Sequence, residues 1–180
     1  YGYSPRIGIK TGMIYVNDIL SGNQNSFIIK IKADGSFEVK FPLYYPHEIY
    51  IRSSMYNGSV YVEPGKTSFQ LFNAGNKNAS SLFMGDCSGV NRDLFATVNI
   101  NSFNYQKVQD NILLMSPQQY KNYLIDIKLS DSKKFDAYKK SHPVCKKADK
   151  IRELVFIFRN SAYLFEYNMM RQSAYRAKHK

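Results

Sequence analysis

The sequence predicts an α+β chain: an antiparallel β-sandwich of six or seven strands followed by a helical segment. Three observations predict it. Short runs of alternating apolar and polar residues recur up to Gly85. Short turns join these runs. Parallel neighbours need a crossover of about a dozen residues, so short turns force antiparallel pairing. Beyond Asn91 the apolar residues recur at steps of three and four, the helical period. Boundaries follow at 1–85 for the sandwich, 86–115 for a short helix and linker, and 116–180 for a helical segment of two long helices.

In chain order, Tyr3 to Lys10 reads as an edge strand that Gly12 breaks. Met13 to Leu20 alternates loosely and ends in the turn cluster Ser21-Gly22-Asn23. Phe27, Ile29 and Ile31 share one face of the next run. Asp34-Gly35 then closes a hairpin onto Phe37, Val39 and Phe41, with Glu38 and Lys40 pointing outward. Pro42 and Pro46 stop pairing around Leu43-Tyr44-Tyr45. Glu48 to Arg52 forms a strand with Ile49 and Ile51 on one face, and Asn57-Gly58 turns into a strand at Val60. Pro64 presets φ for a type II turn, and Gly65 supplies the positive φ that follows. Phe69 and Leu71 share one face of the returning strand, with Ser68, Gln70 and Phe72 on the other. Asn91 is placed as the N-cap of a helix from Arg92 to Phe103.

The helical part opens with a strong signal. Ser116-Pro117-Gln118-Gln119 is a capping box with proline at the first helical position. Tyr120, Tyr123, Leu124 and Ile127 follow on one face. Ser130-Asp131-Ser132 is a point of interruption or restart, and His142-Pro143 ends the helix, because the residue before proline avoids the α region. A last long helix starts near Lys147. Its stripe runs through Ile151, Leu154, Val155, Phe158, Ala162, Phe165 and Met169, widened by Phe156, Ile157 and Leu164. That is more apolar surface than an amphipathic helix needs. Core burial is one reading. The other makes Ile151, Leu154, Phe158, Phe165 and Met169 a candidate interaction surface.

Composition excludes several classes. In 180 residues, 44% hydrophobic and 22% charged, disorder is excluded. The apolar run Leu154 to Met170 is too polar for a membrane span, being broken by Arg159, Asn160, Glu166 and Asn168. The start at Tyr1, without methionine, reads as a processed or trimmed end, so compartment stays open. The net charge of +11 divides into +3 over residues 1–85 and +8 over 86–180. A basic helical half suits an anionic partner or a solvated surface. Aromatic RNA-binding motifs are missing, so nucleic acid is not expected.

Several patterns resemble chemistry and fail on context. Gly85-Asp86-Cys87-Ser88-Gly89 matches a nucleophile elbow, with His142 or His179 as the base, but that elbow belongs to a parallel sheet. Gly65-Lys66-Thr67 lacks the leading glycine and following helix of a phosphate loop. His47 stands alone with Glu48, and three scattered histidines give no metal cluster. Tyr44, Tyr45, Tyr50, Tyr56 and Tyr61 are a candidate stacking platform for a glycan, or cross-strand packing residues. Asn57-Gly58-Ser59 and Asn78-Ala79-Ser80 are sequons, read as turn residues. Cys87 and Cys145 have neither metal nor redox spacing, and either a disulfide or two free thiols fits. No catalytic residue, cofactor or metal is expected.

One stretch carries a family resemblance. Val62-Glu63-Pro64-Gly65, a short strand, then Phe83-Met84-Gly85 and Asn91 resemble the N-terminal region of TlpA-like periplasmic thiol:disulfide interchange proteins. In those proteins a small β-domain and a helical segment precede a thioredoxin domain. Here no C-x-x-C and no tryptophan occur, so the chain resembles the accessory region alone. The resemblance implies a cell-envelope location, a lipid anchor upstream of Tyr1, and as partner a downstream thioredoxin-like domain or a second protomer. Cys87 and Cys145 match none of the family's redox cysteines, whose low pKa depends on the C-x-x-C setting.

Overall fold

The computed structural model describes residues 11–53, 56–71 and 81–179. The chain divides into two compact units, one ending at Arg92 and one beginning at Asp93. The fold is α+β, with two antiparallel sheets followed by helices.

The first unit holds β1 (Thr11–Asp18), β2 (Asn23–Lys30), β3 (His47–Ser53) and β4 (Asn57–Val62) in one sheet, in the order β2-β1-β3-β4. β5 (Ser68–Leu71) and β6 (Leu82–Gly85) pair separately. Alternation puts Ile14, Val16, Ile29, Ile49, Ile51 and Val60 into one buried cluster. Phe83 of β6 packs against that cluster.

Pairing departs from expectation at four places. Gly12 does not break a strand; it lies inside β1, opposite Ile29 and Ser53. A Cβ there would sit 2.8 Å from the Ser53 Cβ and 3.0 Å from the Arg52 carbonyl, so close backbone approach excludes a side chain. The Asp34-Gly35 turn forms, held by Lys32 N–H on the Ser36 carbonyl (2.9 Å) and by the Asp34 carboxylate on Ser36 N–H (2.9 Å). No hairpin follows it. β2 pairs with β1 instead, and Phe37–Phe41 crosses the sheet's apolar face without joining a ladder. Its expected alternation survives: Phe37, Val39 and Phe41 are half-buried, Glu38 and Lys40 exposed. Asn57 and Gly58 do not form a turn but lie inside β4, opposite Arg52 and Ile51. In β5 Gln70 is buried, with Phe69 and Leu71 exposed. The Pro64-Gly65 turn is as expected, with φ +69° at Gly65 and Lys66 N–H bonded to the Glu63 carbonyl at 3.2 Å. Tyr3–Lys10, Phe72 and Asn78 lie outside the described residues.

The fourth correction concerns Asn91. α1 (Ser88–Ala96) starts four residues earlier than expected, so Asn91 lies inside the helix rather than capping it. Its carboxamide clamps the outer edge of β4. Tyr61 N–H donates to Asn91 Oδ1 (2.7 Å), and Asn91 Nδ2 donates to the Tyr61 carbonyl (2.9 Å). An asparagine amide carries the donor–acceptor pair of a peptide group, so it completes the strand edge as a neighbouring strand would.

The second unit contains α2 (Tyr105–Asn111), α3 (Pro117–Ser141), α4 (Lys146–Phe165) and α5 (Tyr167–Lys178). The capping box forms at α3: Gln119 N–H donates to Ser116 Oγ (3.2 Å) and Ser116 N–H to Gln119 Oε1 (2.7 Å). α3 ends at Ser141, before His142-Pro143. It does not break at Ser130-Asp131-Ser132. The expected last helix is two helices, divided at Glu166. Val108, Ile112, Tyr120, Leu124, Tyr167 and Met170 form the core joining α2, α3 and α5.

Candidate interaction surface

α3 and α4 pack together through a polar seam inside an apolar one. Asp131 has no solvent exposure and forms an ion pair with Arg159. Its other oxygen accepts Ser102 N–H at 2.7 Å. One helical face further along, the buried Arg152 donates to the Leu94 carbonyl (2.6 Å) and to Thr97 Oγ1 (3.2 Å). Phe135 and Phe156 meet edge to face at 5.9 Å. Asp93 accepts the Cys145 N–H at 2.8 Å, tying the start of α4 to α1. Lys139, bonded to Asp149 (3.0 Å) and Asp136 (3.1 Å), is held above the usual amine pKa, first by the Asp149 hydrogen bond. These bonds determine which side of α4 faces inward: Ala148, Arg152 and Phe156 are its buried residues.

The opposite side of α4 is apolar and exposed. At 3.6 residues per turn, Leu154, Ile157, Phe158, Ser161 and Phe165 fall within an arc of about 100°. Phe158 is 65% exposed and Phe165 86%, and Met169 at the start of α5 is 61% exposed. Ile151 lies at its margin, half-buried. Lys147 and Lys150 occupy the same side one and two turns before Leu154, with Lys150 3.7 Å from Glu153. The surface is thus a basic head followed by an apolar body. The expected stripe exists, and Leu154, Phe158, Phe165 and Met169 are on the solvent side of it.

The other candidate residues are dispersed. Cys87 is buried and Cys145 half-buried, and neither is in a disulfide. The elbow context fails: β6 pairs antiparallel with β5, and Cys87 is 3% exposed rather than lifted clear of a sheet. The tyrosines do not make one exposed platform, although Tyr50 and Tyr61 lie on the same side of the sheet. Tyr61 is buried, and burial pushes its hydroxyl up to about 12. The Tyr56 hydroxyl donates to the Ser59 carbonyl and that of Tyr45 to Asp18, while Tyr44 and Tyr50 are exposed. His47 opens β3, next to Glu48. Among the described residues no group of three or more His, Cys, Asp or Glu is placed to hold a metal. None of their helices is long and apolar enough to cross a membrane.

Sequence reasoning missed the buried Asp131–Arg159 pair. A signal was present: Arg152 and Arg159 are seven apart, hence on one face of α4, about 100–120° round the helix from Phe158. No family model, curated protein or solved structure matches the chain.

Proposed function

We propose that the chain is a non-catalytic interaction region whose α4–α5 surface holds a neighbouring protein domain. The exposed apolar run Leu154, Ile157, Phe158, Phe165 and Met169 carries this reading. A fully exposed side chain of this kind gains about 1.5–3 kcal/mol on leaving water; these are 37% to 86% exposed, so each gains a corresponding part, and the helix already has a separate buried face. The partner is an apolar surface beside an acidic patch, matching Lys147 and Lys150. A second copy fits less well, since two chains of +11 repel.

The TlpA-like resemblance supports naming that neighbour: a thioredoxin-like domain of a cell-envelope thiol:disulfide oxidoreductase, with the redox chemistry lying there. The same reading takes the two sheets as halves of an antiparallel β-sandwich, which the packing of Phe83 on the four-stranded sheet supports.

The test is Phe158→Asp in the parent protein, followed by small-angle scattering and thermal melting. The expected result is an extended particle with an unchanged melting temperature for the helical unit. A particle as compact as the wild type shows the surface to be idle. A variant that melts early shows Phe158 to be core.

A further inference from the structure

The first unit contains a cavity of about 550 Å³. Ile14, Ile49, Ile51 and Val60 of the four-stranded sheet form its floor. Phe37, Val39 and Phe41 form one wall, and Phe69 and Gln70 of β5 another. Protein interiors hold few voids larger than a water molecule. Sites for small molecules span about 300–1,000 Å³ and are mainly apolar with a few polar groups. This cavity fits that description, and its floor is the sheet's own core.

The mouth indicates the ligand's charge. Its charged residues are Glu38, Lys40, Glu63 and Lys66, two acids and two bases. Lys40 lies 3.2 Å from Glu38, and Lys66 4.0 Å from Asp86. In a chain of net charge +11 this mouth is neutral. It offers an ionised headgroup no net counter-charge, and a charge buried without a partner is strongly disfavoured. The wall's polar groups are neutral: the Gln70 carboxamide and the Thr67 and Ser68 hydroxyls. We infer that this cavity binds an uncharged, mainly apolar small molecule carrying at most a hydroxyl or amide group. The site is separate from the α4–α5 surface and does not depend on the role proposed for it.

Two fluorescent probes with nearly the same ring system separate the outcomes. N-phenyl-1-naphthylamine is neutral; 1-anilinonaphthalene-8-sulfonate carries a sulfonate. The neutral probe should bind the intact chain saturably at one site, with the sulfonate about tenfold weaker because its charge would be buried unpaired. Binding should shift the methyl resonances of Ile14, Ile49 and Ile51 and leave those of Ile151 and Ile157 unchanged. Val39→Trp, which fills the half-buried wall, should reduce neutral-probe binding at least as much, whereas Phe158→Asp should leave it unchanged. The methyl shifts use the native chain and stand even if Val39→Trp folds poorly. No saturable binding, or binding lost in Phe158→Asp with the Ile14, Ile49 and Ile51 methyls unmoved, overturns the site. Equal or tighter binding of the sulfonate overturns the uncharged ligand class.

Discussion

At Asp131 a carboxylate without solvent contact faces the Arg159 guanidinium and the Ser102 N–H. Removing one partner of a buried pair leaves the other charged and unsatisfied, which costs about 3–5 kcal/mol. Asp131→Ala should lose that much in urea unfolding of the helical unit. Replacing both, Asp131→Leu with Arg159→Met, should recover most of it, because packed apolar residues do as well as the pair. Asn91 sets a second residue-scale expectation. Asn91→Ala strips both bonds from Tyr61 and should cost about 1–3 kcal/mol. Asn91→Asp should cost more, since it turns an acceptor toward the Tyr61 carbonyl where a donor stood. Tyr120 supplies the pH dependence. Burial pushes its hydroxyl up to about 12 from an ordinary 10.0. Above pH 10 the unfolded chain releases a proton that the folded chain keeps, so stability falls from there until about pH 12. Tyr120→Phe should flatten part of that alkaline decline, read by melting temperature against pH. Tyr61, raised in the same way, accounts for another part.

Among the elements, α3 was the most legible. Its start is written in Ser116-Pro117-Gln119 and its end in His142-Pro143, because caps and proline act within a few residues of themselves. α4 was half legible. Its period showed a helix apolar on two sides, and period alone does not rank them. The ranking comes from the Leu94 carbonyl, Thr97 and Asp131, all more than 25 residues away in sequence. The strands show the same division. Alternation assigned the faces of β2 and β3 correctly, since face is a local property. It did not identify neighbours, so the run from Phe37 was given a ladder partner that β1 takes instead. In β5 alternation separated Phe69 and Leu71 from Gln70 without ranking the two faces, and the buried position belongs to Gln70. The cavity left no local signature, because its floor comes from three strands and its walls from two other stretches.

On the scale of the whole molecule, charge sets the expected behaviour. The +8 carried by residues 86–180 is exposed to salt screening, with a Debye length of about 10 Å at 0.1 M. Docking of an acid-edged partner on α4 should therefore weaken as sodium chloride rises from about 50 to about 500 mM, while probe binding in the neutral-mouthed cavity should not. Lys147→Glu with Lys150→Glu should reproduce the high-salt result at low salt, measured by titration calorimetry.

The clamp on β4 also bears on how the chain reaches its folded state. Tyr61 and Asn91 are 30 residues apart. β4 pairs with β3 through residues only 5 to 15 apart, so that hairpin can form while α1 is still undocked. In that interval the outer edge of β4 presents free peptide groups, a template for another chain. Docking α1 closes the template with one side-chain amide rather than a strand. An Asn91→Ala chain that is stable once folded would still pass through a longer-lived open edge. Its characteristic failure would be a refolding yield that falls with protein concentration.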